Sequence, residues 1–342
     1  MKAARFHEHG GPEVFRYEDA PDPVAAPGGV VVRVRACALN HLDLWQRRGL
    51  ERIRIPMPHI SGADVAGEIL EGGANAGLLD GTRVMLQPGL SCGRCARCLA
   101  GVDNTCPSYD VLGYQSNGGY AERVAVPAAN LIPLPDGVDF VAAAAFPLVF
   151  LTAWHMLVTR ARLVESDSVL VLAAASGVGQ AAVQIAKAAR ARVVTTARGD
   201  AKMARARALG ADLVIDPDRD DIVARVREFT AGRGVDVVVE HVGQATWDKS
   251  VRCLARGGRL VTCGATSGYT TDLDLRHLFA RQLSILGTYM GGKPELLRAA
   301  DLFFRGVLAP AVDSTWPLSE AAQAHRRMES SERFGKIVLV VN

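Results

Sequence analysis

Val169-Leu170-Val171-Leu172-Ala173-Ala174-Ala175-Ser176-Gly177-Val178-Gly179 reads as an apolar strand, a turn of small residues and the start of a helix. A turn of this kind aims free backbone N–H groups, and the positive end of a helix dipole, at a pyrophosphate. The match to G-x-G-x-x-G is partial: Ala174 and Ser176 stand where the first two glycines would fall, while Gly177 and Gly179 remain. The flanking pattern strengthens the reading. Apolar strands at 169–173, 192–196, 212–215, 235–239, 258–263 and 283–289 alternate with helices starting near 178, 201, 219 and 246, the signature of a doubly wound parallel sheet.

About 20 residues beyond such a turn, a sheet that binds NAD places an acid against the ribose 2′-hydroxyl. Here that position is Ala197, followed by Arg198 and, one turn into the next helix, Lys202. Two cations without the acid suit a 2′-phosphate, so NADP(H) is the expected cofactor. Ser176, Gly177, Val178 and Gly179 are expected at its phosphates, with Asp200 capping the helix that follows Gly199.

Outside this region the texture changes. From Val30 to Ala36 and from Val65 to Leu70 the runs are short and β-rich, broken by turn groups such as Pro27-Gly28-Gly29 and Gly72-Gly73. The final run, Phe334 to Val341, has no helix after it and is expected to rejoin the first domain. The division predicted is 1–126 with 290–342 for one domain and an inserted 127–289 for the other. A chain of 342 residues, 49% hydrophobic and 22% charged, has the material for two packed cores. Thirty-nine basic against thirty-six acidic residues leave a net charge of +3, which argues against nucleic acid or a membrane surface as partner and for a small molecule. No apolar run nears the length of a membrane span and the first residues lack a signal core, so a cytoplasmic location is expected.

Four of the seven cysteines crowd together as Cys92-Gly-Arg-Cys95-Ala-Arg-Cys98, then Cys106. In a reducing compartment this set suggests one tetrahedral zinc per chain, a closed structural site with no position left for substrate. The seven residues before Cys106, in place of three, weaken the likeness to an iron–sulfur run. Cys37, Cys253 and Cys263 lie in apolar contexts and are expected as buried packing residues.

Together these features resemble the medium-chain dehydrogenase/reductase superfamily, over essentially the whole chain. The stretches that carry the resemblance are Ala38 to Asp43, Pro58 to Gly67, the cysteine lobe, Gly118 to Glu122, Ala174 to Gly179, and Gly234 to Val239 with Gly257-Gly258. The resemblance implies a GroES-like, β-barrel-type catalytic domain with an inserted Rossmann domain. It adds His41, Thr152, Gly243 and Gly264 to the cofactor-binding set, and a homodimer or homotetramer built across the strand 283–289.

Two branches are closest, the quinone oxidoreductase-like reductases and the zinc alcohol dehydrogenases, and the catalytic metal separates them. In the second branch zinc is held by a cysteine, a histidine and a cysteine; those positions carry Asn40, Ala63 and Phe150 here. Leu42 and Trp45 stand where its proton relay would be. Without Lewis acid or base, alcohol oxidation lacks an evident agent. Hydride transfer to a quinone or an α,β-unsaturated carbonyl needs only a donor for the developing oxyanion; Asn40, Tyr114 and Tyr120 are the candidates, with Trp45, Phe146, Phe150 and Met290 as apolar surface around the acceptor. The expected protein is thus an NADPH-dependent oxidoreductase without catalytic metal. Two alternatives stand beside it: a zinc alcohol dehydrogenase with atypical ligands, drawn from His41, His59, His155, Asp43 and Asp64, and a non-catalytic NADPH-binding protein.

Overall fold

The computed structural model describes residues 1–50 and 53–342. Two units form, Met1–Leu148 with Gly292–Asn342, and Val149–Gly291. The expected insertion is present, but its start moves from 127 to 149. Residues 127–148 stay with the first unit because Leu131–Pro133 pairs antiparallel with Arg83–Leu86, while the helix Phe140–Ala145 buries three alanines and is capped by Asp139.

In the second unit six parallel strands lie in the order Leu213–Ile215, Arg192–Thr196, Ser168–Val171, Val235–Glu240, Leu254–Thr262, Ser284–Gly287. Val237, Val238 and Val239 follow one another without polar alternation because both faces of a parallel sheet are covered; all three are buried, as is Val235. Helices begin at Gly177, Asp200, Ile222 and Trp247, within three residues of the sequence expectation. The fifth strand starts at Leu254, earlier than the expected 258. Its register jumps between Val235↔Leu254 and Val237↔Arg259, so Ala255 to Gly258 form an irregularity that the sequence pattern hides.

The first unit is built on a mixed sheet of seven strands. Its path runs Val312–Pro317, Lys336–Val340, Gly29–Ala38, Asp64–Glu71, Arg83–Leu86, Leu131–Pro133, and Arg123–Pro127 also pairs with Gly29–Ala38. The barrel-type closure expected from the resemblance is not formed among the described residues, since the two outermost strands of this path do not pair with each other. The last strand does rejoin this unit: it is parallel to Val312–Pro317 and antiparallel to Gly29–Ala38. Two registers on one strand position the chemistry that follows. Ala38 lies opposite Asp64 on one side and Val338 on the other.

Candidate functional sites

The nucleotide cradle is a capped helix start. Ser176 is the N-cap of the helix Gly177–Ala188, and its hydroxyl accepts from the Gly179 N–H at 2.8 Å, one of the donors a helix start leaves orphaned. Gly179 has to be glycine, because a Cβ there would lie 2.2 Å from the Ala173 carbonyl oxygen. Ala173 has a positive φ of 50°, held by its N–H on the Thr196 hydroxyl and by the neighbouring Ala174 N–H on the Thr196 carbonyl. So Ala174 and Ser176 keep the turn that glycines make elsewhere, at the cost of one strained alanine. His241 enters from the adjacent strand end, with Nε2 at 2.9 Å from the Leu172 carbonyl and 3.4 Å from the Ser176 hydroxyl.

Gly243 follows His241 with a φ of 93°, and a Cβ on it would meet Ala265 at 2.8 Å. Its N–H donates to the fully buried Glu240, which also accepts from Val242, Thr246 and Ser250. Gly264 faces this turn, a Cβ there meeting the His241 carbonyl at 3.3 Å. Thr152 is buried on the helix Pro147–Trp154, its hydroxyl 3.9 Å from the Met290 sulfur. His41 belongs to the other unit, where it opens the helix His41–Arg48 and packs edge-on to Trp45 at 5.0 Å.

At the end of the second strand, Ala197 is buried and Arg198 is 69% exposed, its Nε donating to Asp218 at 3.1 Å. Lys202 is half-buried on the following helix. Asp200 does not cap that helix. The N-cap is Gly199, with a φ of 75°, and the Asp200 carboxylate takes the Arg219 guanidinium instead at 2.9 Å. Asp216, which sequence reading passed over, organises the turn: it accepts the N–H groups of Asp218 and Gly199, and these bonds hold its carboxyl below the ordinary range.

In the first unit two of the three candidate donors, Asn40 and Tyr120, are joined in one buried network. Asn40 receives the Lys336 ammonium on Oδ1 at 2.6 Å and gives Nδ2–H to Asp64 at 2.9 Å. Asp64 also takes Lys336 at 2.9 Å, and its other oxygen accepts the Leu148 N–H. Asp43 accepts the Asn40 N–H, and Tyr120 donates its hydroxyl to the same oxygen at 3.0 Å. Burial raises the Asp43 carboxyl to about 6 and drives the Tyr120 hydroxyl well above its ordinary value. The chain continues inward. His325 lies 3.3 Å from the Tyr120 oxygen, Arg47 donates to its Nδ1 at 3.1 Å, and Arg47 pairs with Glu329. Because arginine only donates and burial keeps the imidazole neutral, Nε2 bears the proton and the bonds all point toward Asp43.

Tyr120 is therefore a fully buried member of this chain. Tyr114 is half-buried and its carbonyl accepts from Gln46. Phe146 stacks on Phe303 at 4.5 Å as a core residue, and Cys37 and Cys253 are buried. Within the segment 47–58, Glu51 and Arg52 lie outside the described residues. Sequence reading also missed Lys336 and His325. Both carried a signal: a lone cation opening an apolar strand, and a histidine on the Ala321, Ala324, Met328 face of the helix Ala321–Glu329.

The cysteine lobe assembles as expected. The sulfurs of Cys92, Cys95, Cys98 and Cys106 lie within 4.8 Å of one another, which fits tetrahedral zinc at ~2.3 Å from each. Backbone N–H groups of Arg94 and Cys95 bring the Cys92 thiol down to about 6, favouring the thiolate a metal needs. Among the described residues this is the one group of three or more metal-ligating side chains whose ligand atoms converge; His41, His59, His155, Asp43 and Asp64 do not form a second. Asn40, Ala63 and Phe150 do not fit a catalytic zinc either, since two lack a ligand atom and the third binds an ammonium.

Two family models match, "Alcohol dehydrogenase GroES-like domain" over residues 26–136 and "Zinc-binding dehydrogenase" over 177–305. A quinone oxidoreductase of Pseudomonas aeruginosa is 32% identical, the match covering 99% of each chain. A crotonyl-CoA reductase of Streptomyces avermitilis is 30% identical over 94% of this chain and 80% of its own. Among solved structures, one titled as an NAD-dependent alcohol dehydrogenase is 45% identical, covers 100% of both chains and superposes with a TM-score of 0.95. Matched from end to end at these identities, with its GroES-like and Rossmann domains in the order the family models require, the chain belongs to the medium-chain dehydrogenase/reductase superfamily and is an oxidoreductase by kinship.

Proposed function

We propose that this protein is an NADPH-dependent reductase that delivers hydride to a quinone or an α,β-unsaturated carbonyl without a catalytic metal. The observation that carries the reading is the composition of the lost metal site. Asn40 is bound to an ammonium, Ala63 has no ligand atom and Phe150 is a buried ring. The quinone oxidoreductase and crotonyl-CoA reductase relatives support the acceptor class.

The bound nicotinamide supplies the hydride. The protein's share is positioning and charge. Ser176 and the N–H groups of Gly177 and Val178 would receive the pyrophosphate, with Gly179 N–H holding the Ser176 hydroxyl in place, and Arg198 with Lys202 would neutralise the 2′-phosphate. Asn40 offers an amide N–H to the oxygen on which charge accumulates as hydride arrives at carbon, and water returns the proton. Tyr120 holds Asp43, and Asp43 holds the Asn40 backbone, so the donor is anchored from behind. The Cys92, Cys95, Cys98 and Cys106 lobe holds one structural zinc.

The identity with a structure titled as an NAD-dependent alcohol dehydrogenase favours one second reading, an alcohol dehydrogenase with ligands of another kind. One panel separates the two: NADPH oxidation with quinones, enals and enones, beside NAD⁺ and NADP⁺ reduction with simple alcohols, together with zinc analysis. Turnover of the first panel alone, at one zinc per chain, is the expected result. Alcohol turnover abolished by a chelator, with two zinc ions per chain, overturns the proposal.

A further inference from the structure

The sheet registers place three side chains around one point. Ala38 pairs with Asp64 and with Val338; two residues beyond Ala38 stands Asn40, and two before Val338 stands Lys336. The Lys336 ammonium is 2% exposed and Asp64 0%. An ion pair this deeply buried is a poor way to stabilise a fold, because the desolvation of both charges offsets their attraction. What the pair does fix is an amide. A carbonyl oxygen has to face the ammonium and an NH₂ the carboxylate, so Lys336 and Asp64 leave Asn40 one orientation. One Nδ2 proton is given to Asp64 at 2.9 Å; among the described residues the other makes a weak bond, 3.5 Å long, to the Ala38 carbonyl.

We propose that Lys336 is a positioning residue for Asn40, setting its amide plane and polarising the second Nδ2–H, which an acceptor oxygen takes over from the weakly bound Ala38 carbonyl. The proposal rests on the reductase reading. Hydride reaches the β-carbon of the enone, the carbonyl π pair becomes the enolate electron pair on oxygen, and Asn40 donates to that oxygen without losing its proton. The enolate is then protonated from water. Lys336 gains and loses no proton and does not touch the acceptor. Withdrawing electron density from Oδ1 makes the amide N–H a stronger donor, as cooperative hydrogen bonding predicts.

The test uses the full chain with Lys336→Met, Lys336→Arg, Asn40→Ala, the Asn40→Ala/Lys336→Met pair, and Asp64→Asn/Lys336→Met, which removes both buried charges together. With an enone acceptor, Lys336→Met is expected to lower kcat roughly 100-fold with KM for NADPH within about twofold, and Lys336→Arg to recover most of the loss. Asn40→Ala should be as slow, and Asn40→Ala/Lys336→Met no slower, because both residues act through one amide. The second readout needs no turnover. 4-Nitrophenol, whose phenolate absorbs in the visible, is titrated with pH in the presence of protein. Wild type should lower its apparent pKa by about one unit, a tenfold preference for the anion, while Lys336→Met and the neutral Asp64→Asn/Lys336→Met protein leave it unmoved. An unshifted probe with active wild type, or additive kinetic losses, overturns the proposal and leaves the reductase reading standing. A shifted probe with no turnover of any quinone, enal or enone overturns the reductase reading and leaves Lys336 as the polariser of an anion-binding amide.

Discussion

Arg198 is the side chain on which the proposed preference for NADPH rests. It is exposed and shares its charge with Asp218, so its worth depends on a phosphate arriving to compete for it. Replacing Arg198 with Ala should raise KM for NADPH about tenfold and leave KM for NADH within about twofold; equal losses with both cofactors would mean that Arg198 does not read the 2′-position. Asp43 makes a prediction of another kind. Its carboxyl is raised from 3.8 to about 6 by burial, so the folded protein binds this proton more tightly than the unfolded chain does. The stability that comes with it is complete below the unfolded value and is lost as pH rises through about 6. Tyr120, Lys336 and Asp64 surround the group and do not reverse the sign. Relative to Asp43→Asn, wild type should therefore lose about 2 kcal/mol between about pH 4.5 and about pH 7.5, measured as the difference between their urea midpoints at the two pH values. Parallel midpoints would show that Asp43 keeps an ordinary proton affinity. At this scale the sequence was half legible. Cysteine spacing announced its own geometry. Lys336 and His325 did not, because their partners lie hundreds of residues away and only a sheet register brings them together.

Elements were more legible than residues. The turn from Ala173 to Gly179 was readable despite its missing glycines, since a β-run, small residues and a capping serine suffice to define a helix start. Its tolerance is uneven, however. Ala173 bears the strained φ, whereas Gly179 sits against a carbonyl with no room for a methyl. Gly179→Ala should cost about 1–3 kcal/mol, read as a lower melting temperature, and weaken NADPH binding together with it; an unchanged melting temperature would show that the helix can slide to make room. The elements read less well were those fixed by pairing. The start of the strand at Leu254 and the assignment of residues 127–148 to the first unit depend on which neighbour each segment finds. Local pattern does not report that. The open sheet in place of a barrel has the same origin: short β-rich runs broken by turns were visible, closure was not.

The described chain divides into two units, each with its own main sheet and apolar core. The parallel sheet ends in an edge strand, Ser284–Gly287, with Leu275 and Phe279 largely exposed on the preceding segment and Tyr289 after it. An open apolar edge invites strand addition by a second copy. Light scattering at assay concentration should give at least a dimer, and Phe279→Glu should shift it toward monomer; a wild-type monomer would remove the case for the edge. The other unit carries a different consequence, which concerns time. Lys336–Val340 lies inside its sheet, between Val312–Pro317 and Gly29–Ala38, yet it is the last of the strands to be synthesised. At ~5–20 residues per second, Gly29–Ala38 waits on the order of tens of seconds for this neighbour. Meanwhile the parallel sheet of the inserted unit is already complete. The inserted unit can thus finish folding first, while the unit that bears Asn40 acquires this interior strand, and with it the lysine beside that amide, only afterwards.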